Sequence, residues 1–99
     1  MILLNDFKGS TVHFIGIGGC SMSGLAIILK NLGYKSKGSD IAESAFTKKL
    51  KSEGVPFVIG HSADNLADAA LVVYSAAIKP GNPEYDEAKK RSLPMMERA

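Results

Sequence analysis

A chain of 99 residues, 45% apolar and 22% charged, has room for one domain with a single core. Its net charge of +2 is too small, and its lysines too scattered, for a nucleic-acid-binding surface. One cysteine excludes an intramolecular disulfide and a cysteine-rich metal site, in keeping with a reducing cytoplasm, and no apolar run nears the roughly 18 residues of a membrane span.

In chain order, Val12-His13-Phe14-Ile15-Gly16 reads as a buried strand that empties into a glycine-rich turn over residues 16–19. No basic-then-apolar leader is expected before it. Met22, Leu25, Ala26, Ile28, Leu29 and Leu32 follow at helical spacing, with Gly33 as the C-cap. Residues 34–39 form a short second strand ending at Ser39-Asp40. Ser44 caps a second helix that carries Phe46 and Leu50 on one face and ends at Gly54. Pro56-Phe57-Val58-Ile59 is a third strand, and a short helical turn near residues 63–66 leads into the fourth, Leu71-Val72-Val73-Tyr74-Ser75. Asn82-Pro83-Glu84 opens a third helix with a cap, a proline at its first position and an acid in its first turn, and Lys89-Lys90-Arg91 closes it. Leu93-Pro94-Met95-Met96 is a fifth strand.

Strands and helical segments that alternate in this way predict an α/β fold. It is a Rossmann-like, five-stranded parallel sheet of order 3-2-1-4-5 with helices on both faces. Ligands in such folds bind beyond the C-terminal strand ends, where residues 16–19, Ser39-Asp40, Gly60-His61 and Ser75-Ala76-Ala77 would converge. A strand, a tight glycine turn and a helix start together make an anion site, because the first helical N–H groups have no partner and the helix dipole adds positive charge. A phosphate-bearing nucleotide is the expected ligand. Ser21 and Ser23 are candidate phosphate donors, while Cys20 and the Met22 side chain are expected to pack inside. Asp40, 24 residues after Gly16, stands where a dinucleotide enzyme places its ribose-binding acid, although Ser21 replaces the last fingerprint glycine.

His13 is expected to be a hydrogen-bonded core residue, His61 is equally balanced between ligand contact and structure, and Lys79 stays open as a ligand neighbour. The lysine clusters at 48–49 and 89–91 read as solvated helix faces. No set of metal ligands, no Walker loop and no nucleophile–base pair is found, so a binding domain without catalytic residues is expected.

Several segments, in this order, resemble the N-terminal domain of the Mur ligases: His13-Phe14-Ile15-Gly16-Ile17-Gly18-Gly19, Met22-Ser23-Gly24, Gly38-Ser39-Asp40, Gly60-His61-Ser62, Ala76-Ala77-Ile78-Lys79 and Asn82-Pro83-Glu84. The resemblance runs from about residue 11 to residue 99 and departs at Ser21, often glycine in the family, and at Tyr74, often serine. It implies a three-domain cytoplasmic enzyme of peptidoglycan synthesis that uses ATP and Mg2+ to join L-alanine to UDP-N-acetylmuramic acid. The 1–99 chain would then be a fragment, its central ATPase and C-terminal domains lying elsewhere, with no nucleic-acid or membrane partner. It implies that Gly16, Gly18, Gly19, Ser21, Met22 and Ser23 cradle the diphosphate. Asp40 and His61 would lie near the uridine, and Ser75, Ala76 and Ala77 would line the other side. A nicotinamide-binding fragment of a dehydrogenase and a small nucleotide-sensing module are the alternatives, and the tripeptide-recycling ligase of the same family is the nearest one within it.

Overall fold

The computed structural model describes residues 9–98, within the 1–99 expected to form one domain. Five parallel strands, β1 (Thr11–Ile15), β2 (Lys35–Asp40), β3 (Phe57–Ile59), β4 (Leu71–Ser75) and β5 (Met95–Arg98), lie in the order β3-β2-β1-β4-β5. The order 3-2-1-4-5 is the one predicted, and β1 sits at its centre, with Phe14 opposite Gly38 on one side and Val73 on the other. Helices α1 (Cys20–Asn31), α2 (Ala45–Ser52) and α3 (Pro83–Lys90) make three of the crossovers, and a 3-10 turn (Ala63–Leu66) makes the remaining one.

The two-residue period of the strands divides the core between the two faces. Val12, Phe14, Leu71 and Val73 pack with Met22, Ala26, Leu29 and Leu50 under α1 and α2. Ile15 and Val72 pack with Leu66 and Ala88 under the 3-10 turn and α3. Helix α1 buries a narrower stripe than its sequence predicts. Met22, Ala26 and Leu29 meet the sheet, but Ile28 and Leu32 are 56% and 57% exposed. At about 100° per residue Ile28 points well away from that stripe, and Leu32 is already the C-cap. Phe46 is partly outside too, at 39% exposure, and Thr47 takes the inward position beside Leu50.

The start of α2 is tied to the glycine turn. Ser44 Oγ accepts from the Thr47 N–H at 3.3 Å and donates to the Gly18 carbonyl at 3.3 Å, while Thr47 Oγ1 accepts from the Ser44 N–H at 2.8 Å. This capping box satisfies the helix start and braces the turn at once. Ser44→Ala is expected to lower stability by about 1 kcal/mol in urea denaturation. It should also move the amide resonances of Gly18 and its neighbours, because the brace is lost with the cap.

Candidate functional site

Beyond the C-terminal end of β1 the chain turns at Gly16, whose φ of +84° lies in the region open to glycine. The N–H groups of Gly16 and Ile17 both donate to the Ser39 carbonyl, at 2.8 and 2.9 Å, pinning the turn to β2. The Gly18 N–H donates to Asp40 Oδ2 at 2.8 Å. A Cβ on Gly18 would stand 2.7 Å from that oxygen and 2.9 Å from Thr47 Cγ2, so only glycine allows this approach. Gly19 is the N-cap of α1 and carries no side-chain cap. The Ser23 N–H reaches the Gly19 carbonyl at 2.8 Å, leaving the N–H groups of Cys20, Ser21 and Met22 without a partner among the described residues. The unpaired donors at the positive end of the α1 dipole therefore belong to residues 20–22.

A cleft of about 500 Å3 opens against this loop. Of the residues singled out in the sequence, it brings together Gly16, Gly19, Asp40, His61, Ser75 and Ala77, and Lys79 lines it too. Gly18 lies beneath the loop against Asp40, and Ala76 is exposed outside the lining. The Met22 side chain is in the core, as expected, so only its backbone remains for a ligand. Ser23 departs from its expectation as a phosphate donor: it is buried, and its hydroxyl donates to the Cys20 carbonyl at 3.1 Å. Ser21 is exposed, and its Oγ accepts from Arg98 Nε at 2.8 Å. That bond sets a guanidinium at the helix start, a neighbour 77 residues away that no local pattern announces. Cys20, expected to pack inside, is exposed because the first residue of α1 falls outside its buried stripe.

Asp40 is doubly engaged, since Oδ1 accepts from the Ile41 N–H at 2.7 Å while Oδ2 holds Gly18. Behind it lies a buried polar cluster that the sequence reading missed. Glu84, read only as a first-turn acid, is 0% exposed. Its Oε1 accepts from His13 Nε2 and from Ser39 Oγ, both at 2.6 Å. Its Oε2 accepts from Asn65 Nδ2 at 2.7 Å and the Ser62 N–H at 3.1 Å, with His61 Nδ1 at 3.4 Å. Burial raises the Glu84 pKa, but hydrogen bonds from His13, Ser39 and Asn65, with the attraction of His13, outweigh it and bring the carboxyl down to about 2. Lys37 Nζ donates to the carbonyls of Asn65 and Leu66 at 2.6 and 3.0 Å, which holds the 3-10 turn where Asn65 meets Glu84. Desolvation by burial lowers the Lys37 pKa. His13 is the hydrogen-bonded core histidine that its strand position predicts.

Among the described residues, no group of three or more His, Cys, Asp or Glu side chains is placed to hold a metal ion. No helix among them is long and apolar enough to cross a membrane.

The model of the Mur ligase family, catalytic domain, matches residues 11–99. The UDP-N-acetylmuramate–L-alanine ligase of Aquifex aeolicus is 57% identical over 86 residues, which are 87% of this chain and 19% of that protein. The enzyme of the same name from Clostridium perfringens is 57% identical over 97 residues, 98% of this chain and 21% of that one. The crystal structure of UDP-N-acetylmuramate-alanine ligase from Thermotoga maritima superposes with a TM-score of 0.85 at 37% identity, over 90% of this chain and 21% of that chain. The chain thus spans about a fifth of the length of the curated relatives it matches.

A carboxyl held near 2 in the folded chain and at its ordinary value near 4.5 in the unfolded one has a definite acid signature. Its stabilisation is complete above the unfolded value and is lost as pH falls from about 5 towards 2, a loss of about 3 kcal/mol. Urea denaturation across that range should show a steep acid limb in the wild type and a flatter one in Glu84→Gln.

Proposed function

The chain belongs to the Mur ligase family, and we propose that it is the UDP-sugar-binding domain of the ligase that joins L-alanine to UDP-N-acetylmuramic acid in peptidoglycan synthesis. One observation carries this reading. A cleft of nucleotide size adjoins an unpaired helix N-terminus, in a chain 57% identical to ligases of that name.

In this reading the N–H groups of Cys20, Ser21 and Met22 hold the diphosphate, and Gly16 and Gly19 let it approach the backbone. Lys79 and Arg98 add positive charge nearby. Asp40 and His61 lie along the uridine, with Ser75 and Ala77 on the β4 side of the cleft and Ala76 between them. These groups bind and orient, and none of them activates a carboxylate. In the full ligase ATP with Mg2+ would supply the activation of the sugar's carboxylate that attack by the amine of L-alanine needs. The glycine turn ends without the Lys-Ser/Thr of an ATP loop, and the described residues group no metal ligands. As the family resemblance implies, we assign ATP, Mg2+ and L-alanine to other parts of the ligase, and the working compartment to the cytoplasm.

Titration of the 99-residue chain with UDP-N-acetylmuramic acid, UDP and NADH, followed by backbone amide shifts, tests the reading. The UDP ligands should move Cys20, Ser21, Met22, His61 and Ala77, and NADH should not. A response to NADH alone would replace the ligase reading with the dinucleotide one. Asp40→Ala removes both the loop brace and a cleft-lining carboxylate. It is expected to weaken binding of the UDP-sugar by about 1–3 kcal/mol, and an unchanged dissociation constant removes Asp40 from the site.

A further inference from the structure

The hydrogens of the Glu84 cluster can be assigned from its geometry. A carboxylate only accepts, and a serine hydroxyl has a single hydrogen to give. Ser39 Oγ stands 2.6 Å from Glu84 Oε1 and 2.9 Å from His61 Nδ1. The hydroxyl hydrogen goes to the carboxylate, so His61 Nδ1 must carry the hydrogen that it shares with Ser39 Oγ. The second contact of the same nitrogen, 3.4 Å from Glu84 Oε2, requires the same hydrogen. In the neutral ring this leaves Nε2 bare. No hydrogen bond of the described residues engages Nε2, and His61 lines the cleft beside Asp40.

We propose that Glu84 is a positioning residue that fixes His61 as the Nδ1–H tautomer and so presents Nε2 to the cleft as an acceptor for an N–H or O–H group of the ligand. Only this last clause rests on the ligand reading above; the tautomer assignment stands on the cluster itself. A bare imidazole nitrogen attracts a hydrogen-bond donor and repels a phosphate oxygen. His61 therefore selects by the sense of a hydrogen bond, while the α1 N-terminus selects by charge. The full occupancy of Glu84 makes the arrangement stiff. His13, Asn65 and the Ser62 N–H already use its remaining acceptor positions, so the carboxylate cannot turn away from Ser39 without leaving a buried donor unpaired.

In Glu84→Gln the new NH2 is turned away from the Oε2 position, where it would face the Asn65 amide and the Ser62 N–H, both donors. At the Oε1 position it donates to Ser39 Oγ, whose own hydrogen then turns to His61 Nδ1. That placement favours the Nε2–H tautomer.

Long-range 1H–15N spectra of the imidazole rings distinguish the tautomers directly, recorded at about pH 8, above the ordinary histidine range. The wild-type chain should show His61 with hydrogen on Nδ1, and Glu84→Gln should shift it towards Nε2–H. Ser39→Ala, which keeps the His13–Glu84 bond, should loosen the preference if Glu84→Gln does not fold. UDP-N-acetylmuramic acid should move the Nε2 resonance, inorganic pyrophosphate should not, and the sugar nucleotide should bind Glu84→Gln roughly tenfold more weakly. An Nε2–H ring in the wild type, or a tautomer indifferent to both substitutions, overturns the inference. A response of Nε2 to pyrophosphate overturns the donor-selecting clause. The predicted tautomers without any response to UDP ligands would leave the role of Glu84 standing and sink the UDP-sugar reading instead.

Discussion

A carboxylate shut away from water has to be surrounded by donors, and Glu84 draws them from four separate segments of the chain. His13 comes from β1, Ser39 from β2, His61 and Ser62 from the segment after β3, and Asn65 from the 3-10 turn. An isolated buried charge would cost many kcal/mol, so these contacts act as a set of conditions that the fold must meet together. They fix the start of α3 over the sheet and fix the segment carrying His61 against β2. Asn82 takes part from outside the cluster: its side chain accepts from the N–H groups of Glu84 and Tyr85 at 2.9 and 3.2 Å, so cap and carboxylate are held by the same turn. His61, which lines the cleft, is thereby positioned by a group that does not line it.

The glycine turn illustrates how a loop that resembles an anion cradle can place its free donors elsewhere. Gly16, Ile17 and Gly18 direct their N–H groups to Ser39 and Asp40, and the open amides begin at Cys20. An acid this close to a diphosphate would oppose it electrostatically. Asp40 avoids much of that penalty because both of its oxygens accept backbone N–H bonds, which spread its charge into the loop. Lys79 at the cleft and Arg98 at the helix start supply charge of the opposite sign. The loop is internally satisfied, and its bonds to Ser39 and Asp40 hold the start of α1 in place without a side-chain cap.

The sheet order, the helix caps and the convergence of residues 16–19, Asp40, His61 and Ser75 on one edge were legible because each has a local cause. Strand alternation, Gly33 and Gly54 with positive φ, Ser44 at an N-cap and Asn82-Pro83 at a helix start are all written within a few residues. The Glu84 cluster was not legible, because its partners lie 19 to 71 residues away and each has an ordinary local explanation. An acid in a first helical turn already suits the dipole, and a lone histidine in an apolar strand already suits a hydrogen-bonded core. The usable signal was the conjunction: His13 and Ser39, diagonal neighbours on one face of β1 and β2, needed a buried acceptor, and Glu84 was the acid that the topology could deliver. Ser23 and Cys20 were misread for a different reason. At a helix start the choice between ligand, backbone and solvent depends on the rotation of the helix, which the spacing of Met22, Ala26 and Leu29 sets only once the sheet face is known.

The polar groups around the cleft divide into those satisfied inside the chain and those left over, and the leftover ones define what the cleft can recognise. At the α1 end they are donors with positive partial charge. At the His61 end the tautomer argument leaves an acceptor. Such a cleft distinguishes ligands by the order of their chemistry, with an anionic portion towards one end and an N–H or O–H group towards the other. Apolar contact from Ile41, Ala77 and Ile78 adds area without reading either. Because the donors belong to a helix and the acceptor hangs from Glu84, the distance between them is set by packed elements and not by a free loop. A ligand must match that spacing as well as the polarity at each end, and a bare phosphate can satisfy only one of the two.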